Sequence, residues 1–176
     1  GQTVSSPVSG KIRRPKQLEV GKETEQMVYI VGAGPGAADL ITVRGQKLLK
    51  EADVIIYAGS LVNPELLQDA KAGCQIFDSA KMTLEQVIAE IEKACRDGKM
   101  VVRLHTGDPC LYGAIREQMD ELDRHGISYE VCPGVSSFCG AAAALNAEYT
   151  LPGVSPAFAA WSPAPRRDRP TPCRSG

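Results

Sequence analysis

Residues 99–114, KMVVRLHTGDPCLYGA, predict a buried strand that runs directly into a tight polar loop. The apolar residues within 100–104 include two adjacent valines, and β-branched side chains favour extended backbone. Gly107, Asp108 and Pro109 end the strand, because glycine tolerates positive φ, aspartate bonds to its own backbone in turns, and proline cannot continue a ladder. Ligands of open α/β sheets bind at the carboxyl ends of strands, so this loop is a candidate binding loop. Spacing alone leaves an ordinary strand-to-helix connection as the alternative.

The chain on both sides of this stretch alternates between short apolar strands and amphipathic helices. Strands are predicted at 28–31, 53–57, 74–77, 100–104 and 127–131. Helices are predicted at 43–51, 65–70, 84–96, 115–124 and 137–145. Thr42 is the predicted N-cap of the first helix, and Thr83 and Gln86 form a predicted capping box. This order predicts an α/β fold: an open, five-stranded, mainly parallel sheet with right-handed crossovers and helices on both faces.

The glycine-rich loop GAGPG follows the first predicted strand at 32–36. A dinucleotide-binding fingerprint needs the spacing G-x-G-x-x-G, with backbone N–H groups that donate to the pyrophosphate. Here the spacing is G-x-G-x-G, and Pro35 removes one of those donors. We therefore keep a nicotinamide-dependent dehydrogenase only as an alternative. The loop is predicted to be a tight turn that allows close backbone approach, and a second such turn is predicted at 133–137.

Composition is that of a globular chain, with 43% hydrophobic and 23% charged residues among 176. No apolar run approaches the roughly 20 residues that span a membrane, and the first residues lack the apolar segment of a secretory signal. Residues 1–27 carry a charge of +2 and residues 157–176 a charge of +3, so the net charge of −1 leaves −6 for the residues between. The acidic character of this central part argues against a nucleic-acid partner. Six scattered cysteines and two histidines argue against a zinc site and a disulfide scaffold. We expect free thiols in a reducing cytoplasm.

The two ends of the chain differ from its centre in composition. Residues 1–27 are polar without an apolar period and are predicted to be a flexible leader, with Met27 a candidate natural start. Residues 156–176 interleave proline with arginine, alanine and serine and are predicted to be disordered. Folded sheet proteins seldom end in this way, so we interpret the tail as the product of a truncated or shifted reading frame. The folded domain is predicted to span 28–155.

Four motifs together resemble those of the tetrapyrrole (corrin/porphyrin) methylase family. They are VYIVGAGPG (28–36), YAGSLV (57–62), TGDPCLYG (106–113) and PGVSS (133–137). The stretch YAGSLVNPE (57–65) resembles more narrowly the branch that methylates carbon 11 of precorrin-4 or cobalt-precorrin-4 in cobalamin (vitamin B12) biosynthesis. The resemblance implies a cytoplasmic methyltransferase with S-adenosyl-L-methionine as its cofactor and a corrinoid small molecule as its substrate. It implies no nucleic-acid or membrane partner.

The resemblance also implies which residues form the site. The donor would be held, mainly through backbone atoms, by Pro35, Thr106, Gly107, Asp108, Leu111, Ser136 and Ser137. Substrate contacts are implied at Gly34, Gly36, Ser60 and Tyr112, with no metal ligand and no assigned general base. Members of the family have two α/β domains with the active site between them, usually in a homodimer. This chain therefore resembles the N-terminal half of such a protein.

The chain departs from the family pattern at two places. Ala37 and Ala38 stand where Asp-Pro is common. Ala58 follows Tyr57 as in the carbon-11 branch, whereas a related branch that acts earlier in the pathway has an acid there. The Pro/Arg-rich tail stands where the second domain would begin. We therefore expect the isolated chain to bind the donor weakly and to have little or no activity. The alternatives are a methylase of the same fold that acts on another corrin carbon, on ribosomal RNA ribose or on diphthine, and a catalytically inactive remnant domain.

Several side chains near the central stretch have a structural interpretation beside a functional one. We expect His105 to pack or bond to backbone rather than act as an acid. Cys110 is interpreted as a small side chain that fills space in the loop, because no histidine lies at a sequence spacing that would indicate a catalytic partner for the thiol. Arg103, Arg116 and Lys81 are predicted to be surface charges, with contact to substrate carboxylates as the alternative.

Overall fold

Five strands form one sheet in the computed structural model, which describes residues 27–150. They are β1 (Met27–Gly32), β2 (Val54–Tyr57), β3 (Gln75–Asp78), β4 (Val101–His105) and β5 (Ser128–Cys132). The order across the sheet is β3-β2-β4-β1-β5, and every pairing between neighbours is parallel. The predicted open parallel sheet is confirmed. The predicted leader, apart from Met27, and the predicted tail lie outside the described residues.

Three α-helices connect the strands and cover both faces of the sheet, as predicted, and a fourth follows β5. They are α1 (Val43–Glu51), α2 (Leu84–Arg96), α3 (Ile115–Arg124) and α4 (Ser137–Ala144). Short 3₁₀ turns lie at Ala38–Leu40, Gly59–Leu61, Pro64–Asp69 and Ser79–Lys81. The helix predicted at 65–70 is the third of these turns, since six residues are too few to favour an α-helix over the tighter form. Within residues 27–150, no helix has the length and apolar character needed to cross a membrane.

The central strands β1, β2 and β4 are buried between two apolar layers. Leu49 of α1 packs with Val31 and Ile55 on one face of the sheet. On the other face, Ile91 of α2 and Leu122 of α3 form the second layer, with residues of the central strands. Successive residues of a strand point to opposite faces, so the continuous apolar runs of the central strands supply both layers at once.

Two predicted helix starts are formed by the expected side chains. The Thr42 hydroxyl accepts a hydrogen bond from Gly45 N at 3.1 Å. Thr83 and Gln86 form a complete capping box, with Gln86 Oε1 accepting from Thr83 N at 2.9 Å. Each cap satisfies a backbone donor that the first turn of a helix leaves without a partner.

Strands β1 and β4 are neighbours, but the chain leaves them in opposite directions. After β1 it passes through α1 on one face toward β2, and after β4 it passes through α3 on the other face toward β5. Such a divergence opens a crevice at the carboxyl ends of the two strands, where α/β proteins bind ligands. The loop after β5 lies on the far side of β1 and borders the same edge.

Candidate functional site

Three loops converge where β1, β4 and β5 end, and a glycine of each lies at the point of contact. A Cβ atom on Gly32 would lie 2.6 Å from both the carbonyl oxygen of Gly107 and the Cα of Gly134. A Cβ atom on Gly134 would overlap the same carbonyl oxygen. Since real Cβ atoms do not approach backbone so closely, Gly32 and Gly134 are needed for the three loops to meet.

The loops after β1 and β4 are joined by backbone hydrogen bonds. Gly34 N donates to Gly107 O at 3.2 Å, and Gly107 N donates to Gly34 O at 2.8 Å. Ala33 N donates to His105 O at 2.7 Å one step earlier. Gly34 and Gly107 have φ values of +81° and +60°, which favour glycine. The tight turn predicted at 32–36 is therefore present, and it is fixed to the candidate binding loop.

Asp108 uses both carboxylate oxygens to shape the site. Oδ1 accepts a hydrogen bond from Cys110 N at 2.8 Å, which is the turn-forming role expected of this residue. Oδ2 accepts from Gly134 N at 2.9 Å and so connects the loop after β4 to the loop after β5. The side chain is thus committed to loop structure, and contact with a ligand is left mainly to the backbone.

The second half of the loop after β4 presents apolar side chains on a strained backbone. Leu111 is 39% exposed and Tyr112 is 67% exposed. Tyr112 and Ala114 have φ values of +57° and +49°, which side chains rarely adopt. Strained residues of this kind cluster at ligand-binding and switch segments. The exposed pair therefore strengthens the case that this loop contacts a ligand.

The loop after β5 and the start of α4 close the third side. A Cβ atom on Gly107 would lie 3.5 Å from Ser137 N, which is ordinary van der Waals contact. Ser136 is buried and Ser137, the first residue of α4, is exposed. Pro35 packs on α4, since a Cβ atom on Gly140 would lie 2.7 Å from Pro35 Cβ. The predicted donor-binding residues of all three loops are therefore brought to one edge of the sheet.

The predicted substrate contacts lie on the loops after β1, β2 and β4. Gly36 is exposed, with a φ of +133° and no heavy atom within 4 Å of the position of a Cβ. Asn63 Nδ2 donates to Gly36 O at 2.8 Å and so connects the loop after β2 to the first loop. Ser60 belongs to that second loop, in the turn Gly59–Leu61. Gly34 is packed against Leu40, because a Cβ atom on Gly34 would lie 2.8 Å from the carbonyl oxygen of Leu40. Gly34 is therefore available to a ligand through its backbone atoms.

Arg103 is buried, which contradicts its prediction as a surface charge or substrate contact. Its side chain points to the α3 face of β4, where Nε donates to Gln118 Oε1 at 2.9 Å and Nη1 donates to Ile56 O at 2.9 Å. Burial lowers the pKa of Arg103 to about 10, so the guanidinium stays charged at neutral pH. These partners explain how a charged residue is accommodated within a central strand.

His105 is buried and, as expected, packs inside the fold. Burial lowers the pKa of His105 to about 4, and the charge of Arg103 acts in the same direction, while the side chain of Gln118 opposes it. The imidazole is therefore neutral at pH 7. Its Nε2 atom is buried and has no hydrogen-bond partner among the described residues.

Three other side chains have a predicted role, and one of them, Cys110, differs from it. Cys110 is exposed and does not fill a gap, because the turn at Asp108 directs it outward. Lys81 and Arg116 are exposed as predicted, and Arg116 pairs with Asp120 at 3.0 Å. Within residues 27–150, no group of three His, Cys, Asp or Glu side chains is placed to hold a metal ion.

Two residues that shape the site were not found from the sequence. Gln118 lies on the apolar face of α3, between buried Ile115 and Leu122. A polar residue at an inward-facing position of a helix is a sequence signal of a buried polar contact. Gly134 lies in the tight turn predicted at 133–137, but its contact with Gly107 could not be predicted, because that contact joins loops distant in sequence. As a whole, the site offers backbone polar groups, serine hydroxyls and an apolar edge, which suits an organic ligand recognised by shape and backbone hydrogen bonds.

Comparison with known proteins identifies relatives for most of the chain. Residues 27–173 match the family model of the Tetrapyrrole (Corrin/Porphyrin) Methylases. The cobalt-precorrin-4 C(11)-methyltransferase of Methanocaldococcus jannaschii is 53% identical over 148 residues, which cover 84% of this chain and 57% of that protein. The chain thus spans little more than half the length of this curated relative.

Solved structures show the same fold. The X-ray structure of cobalt precorrin-4 methyltransferase CbiF superposes with a TM-score of 0.73 at 49% identity, covering 76% of this chain and 56% of that one. The uroporphyrin-III C-methyl transferase of Thermus thermophilus, complexed with S-adenyl homocysteine, superposes with a TM-score of 0.57 at 37% identity. That match covers 65% of this chain and 47% of the Thermus chain.

Proposed function

The chain belongs to the tetrapyrrole methylase family, and from that premise we propose that it is the donor-binding part of an S-adenosyl-L-methionine-dependent C-methyltransferase. We propose carbon 11 of precorrin-4 or cobalt-precorrin-4, in cobalamin biosynthesis, as the methyl acceptor. The observation that carries the proposal is the convergence of three glycine-containing loops at the ends of β1, β4 and β5. The name of the Methanocaldococcus relative supports the choice of acceptor.

The residues at this edge fit S-adenosyl-L-methionine by their chemistry. Pro35, Thr106, Gly107, Asp108, Leu111, Ser136 and Ser137 would hold it. Adenosine needs an apolar surface and backbone hydrogen bonds, and Leu111 offers an exposed apolar side chain beside the loop backbone. Both oxygens of Asp108 already accept backbone hydrogen bonds, which is consistent with recognition through the main chain. The S-adenyl homocysteine complex of the Thermus relative supports the same class of ligand.

The chemistry requires positioning more than acid or base groups. When bound, S-adenosyl-L-methionine supplies an activated methyl group whose leaving group departs uncharged. The loops would fix its orientation and exclude water, and orientation alone contributes roughly 7–11 kcal/mol in well-aligned reactions. Gly34, Gly36, Ser60 and Tyr112 would contact the corrinoid. No general base is assigned, because Ala58 follows Tyr57.

The proposal extends to the parts of the protein beyond this domain. Residues 28–155 would form the N-terminal α/β domain, with residues 1–27 as a leader and 156–176 as a tail. A second domain would complete the cleft, and the full-length protein would act as a homodimer in the cytoplasm. The described residues would supply one wall of this cleft, and one wall alone would not exclude water, so we expect weak donor binding and little or no turnover from this part of the protein by itself.

A second candidate is a methylase of the same fold with another tetrapyrrole acceptor. The match to a uroporphyrin-III C-methyl transferase favours it, and the resemblance of residues 57–65 to the branch that methylates carbon 11 opposes it. A form of the chain extended by a second domain distinguishes the two candidates. It is incubated with methyl donor and with precorrin-4, cobalt-precorrin-4 or uroporphyrinogen III. We expect mass spectrometry to detect one added methyl group on a precorrin-4 substrate, and methylation of uroporphyrinogen III alone would select the second candidate.

Calorimetry with S-adenosylhomocysteine tests donor binding by the chain as it stands. We expect saturable binding that Leu111→Asp weakens by about tenfold or more, since a carboxylate would replace the apolar edge. Leu145→Asp is the matched control, because Leu145 is also an exposed leucine and follows α4. No binding by the unmodified chain, or equal weakening by both substitutions, would contradict the proposal. Micromolar affinity together with normal turnover by this chain alone would overturn the need for a second domain.

A further inference from the structure

A buried polar cluster lies beneath the candidate binding loop. It consists of Arg103 and His105 of β4 and Gln118 of α3, which are 6%, 4% and 9% exposed. Gln118 Oε1 accepts a hydrogen bond from Arg103 Nε at 2.9 Å, and His105, two residues further along β4, lies on the same face of the strand as Arg103. Polar groups are rarely buried in a domain core unless their hydrogen bonds are specific, so the cluster calls for an explanation beyond packing.

The position of the cluster along the chain is informative. Arg103 precedes the loop 106–114, and Gln118 follows it, so their hydrogen bond closes the strand–loop–helix unit across 15 residues. Arg103 also donates to Ile56 O near the end of β2, just before the turn Gly59–Leu61. One guanidinium therefore connects the base of the loop after β4 to the base of the loop after β2.

The loop that the cluster closes needs external support. Tyr112 and Ala114 hold left-handed backbone conformations that are unfavourable for residues with side chains. Such conformations persist only when the surrounding structure over-determines them. Ile115, directly after the strained segment, is anchored in the core, and Gln118 fixes the same turn of α3 to β4.

Among the described residues, no other side chain than Gln118 accepts a hydrogen bond from Arg103. Arg103 forms no ion pair with a described carboxylate, and Gln118 supplies its side-chain acceptor. Removal of that acceptor would leave a charged, buried N–H group without a partner and free α3 to shift relative to β4. The loop between them would then lose the fixed separation of its two ends.

We infer that Gln118 is a positioning residue for the donor-binding loop, and that it acts by holding Arg103, and with it the ends of β4 and β2, against α3. The inference rests on the proposed function for its link to the donor. The positioning itself is a property of the free chain. The two parts can therefore be tested separately.

Hydrogen exchange of the full chain, without ligand, tests the positioning. Gln118→Met keeps the side-chain length and removes the acceptor, and we expect exchange of the amides in 106–113 to become about tenfold faster. Gln118→Glu retains an acceptor and should restore the original rate. Leu122→Ala is the control, since it removes buried packing one turn further along α3 without touching the cluster. It should leave exchange of the loop unchanged although it lowers global stability.

Loop exchange at the original rate in Gln118→Met, or equal acceleration in Leu122→Ala, would overturn the inference. If Gln118→Met does not fold, Gln118→Asn, which is too short to reach Arg103, replaces it under the same two criteria. Calorimetry with S-adenosylhomocysteine then tests the link to the donor, and we expect affinity to fall about tenfold in the variant with the faster loop. Unchanged affinity despite faster exchange would overturn that link. If the unmodified chain fails to bind, the proposed function fails, and the exchange comparison still decides the positioning.

Discussion

Asp108 and Gly134 are joined by a hydrogen bond of 2.9 Å from the backbone amide of Gly134 to Oδ2 of Asp108, across 26 residues of chain. The other oxygen of the same carboxylate accepts from Cys110 N, at 2.8 Å, within its own loop. One side chain therefore sets the shape of the loop after β4 and its distance from the loop after β5. A local turn and a long-range contact therefore depend on a single side chain.

Asp108→Asn separates these two roles. The amide keeps one acceptor oxygen and places an NH₂ group against a backbone donor, so we expect a loss of about 1–3 kcal/mol in the free energy of unfolding. Asp78→Asn is the control, because within residues 27–150 the Asp78 carboxylate accepts a hydrogen bond from Ala80 N alone, in a turn of the same kind. Urea unfolding followed by circular dichroism gives both values. Equal losses in the two variants would show that the bond to Gly134 contributes nothing.

Gly134→Ala tests the close approach of the three loops. The added Cβ would overlap Gly107 O, and backbone cannot move aside as a flexible side chain can, so we expect a loss of about 3 kcal/mol. Gly73→Ala is the control for backbone conformation alone, because Gly73 has a φ of +84° with open space around it. It should cost about 1 kcal/mol. Denaturant midpoints that shift equally would contradict the packing of these loops.

The buried His105 predicts how stability depends on pH. Burial, with a contribution from the charge of Arg103, lowers the pKa of His105 from 6.5 to about 4. The unfolded chain therefore takes up this proton near pH 6.5 and the folded chain only near pH 4. The stabilisation from the neutral imidazole is complete above pH 6.5 and is lost as the pH falls toward 4, by about 3 kcal/mol.

Unfolding curves between pH 4 and 8 measure this effect. In His105→Asn the group that titrates is absent, so the difference in free energy between the variant and the original chain should change across the window. His125→Asn removes the other histidine, which is exposed, and should leave the loss of stability below pH 6.5 in place. Parallel pH profiles for the original chain and His105→Asn would contradict the assignment.

Local sequence signals were sufficient for the sheet and for most element bounds. The caps at Thr42 and Thr83 are properties of a few adjacent residues, and helix 115–124 follows from its periodicity. The burial of Arg103 was missed, because charge indicates the surface unless the partner is known. Its partner, Gln118, lies 15 residues away on another element. The same reason hid the contact between Gly32 and Gly134.

The final prediction uses Cys110 as a reporter of the site. Cys110 is exposed in the loop after β4, and its pKa is raised by partial burial and by Asp108, so alkylation should be measured at pH 8.5 or above, where more thiolate is present. With S-adenosylhomocysteine at a hundred times its dissociation constant, only about one hundredth of the chain is free, and alkylation of Cys110 should slow by up to about a hundredfold. Cys74, which precedes the edge strand β3 and so lies away from the three loops, is the internal control and should react at an unchanged rate. Mass spectrometry of the digested chain follows both thiols in one experiment. Protection of Cys74 alone, or of neither thiol under conditions where calorimetry detects binding, would place the ligand away from this loop.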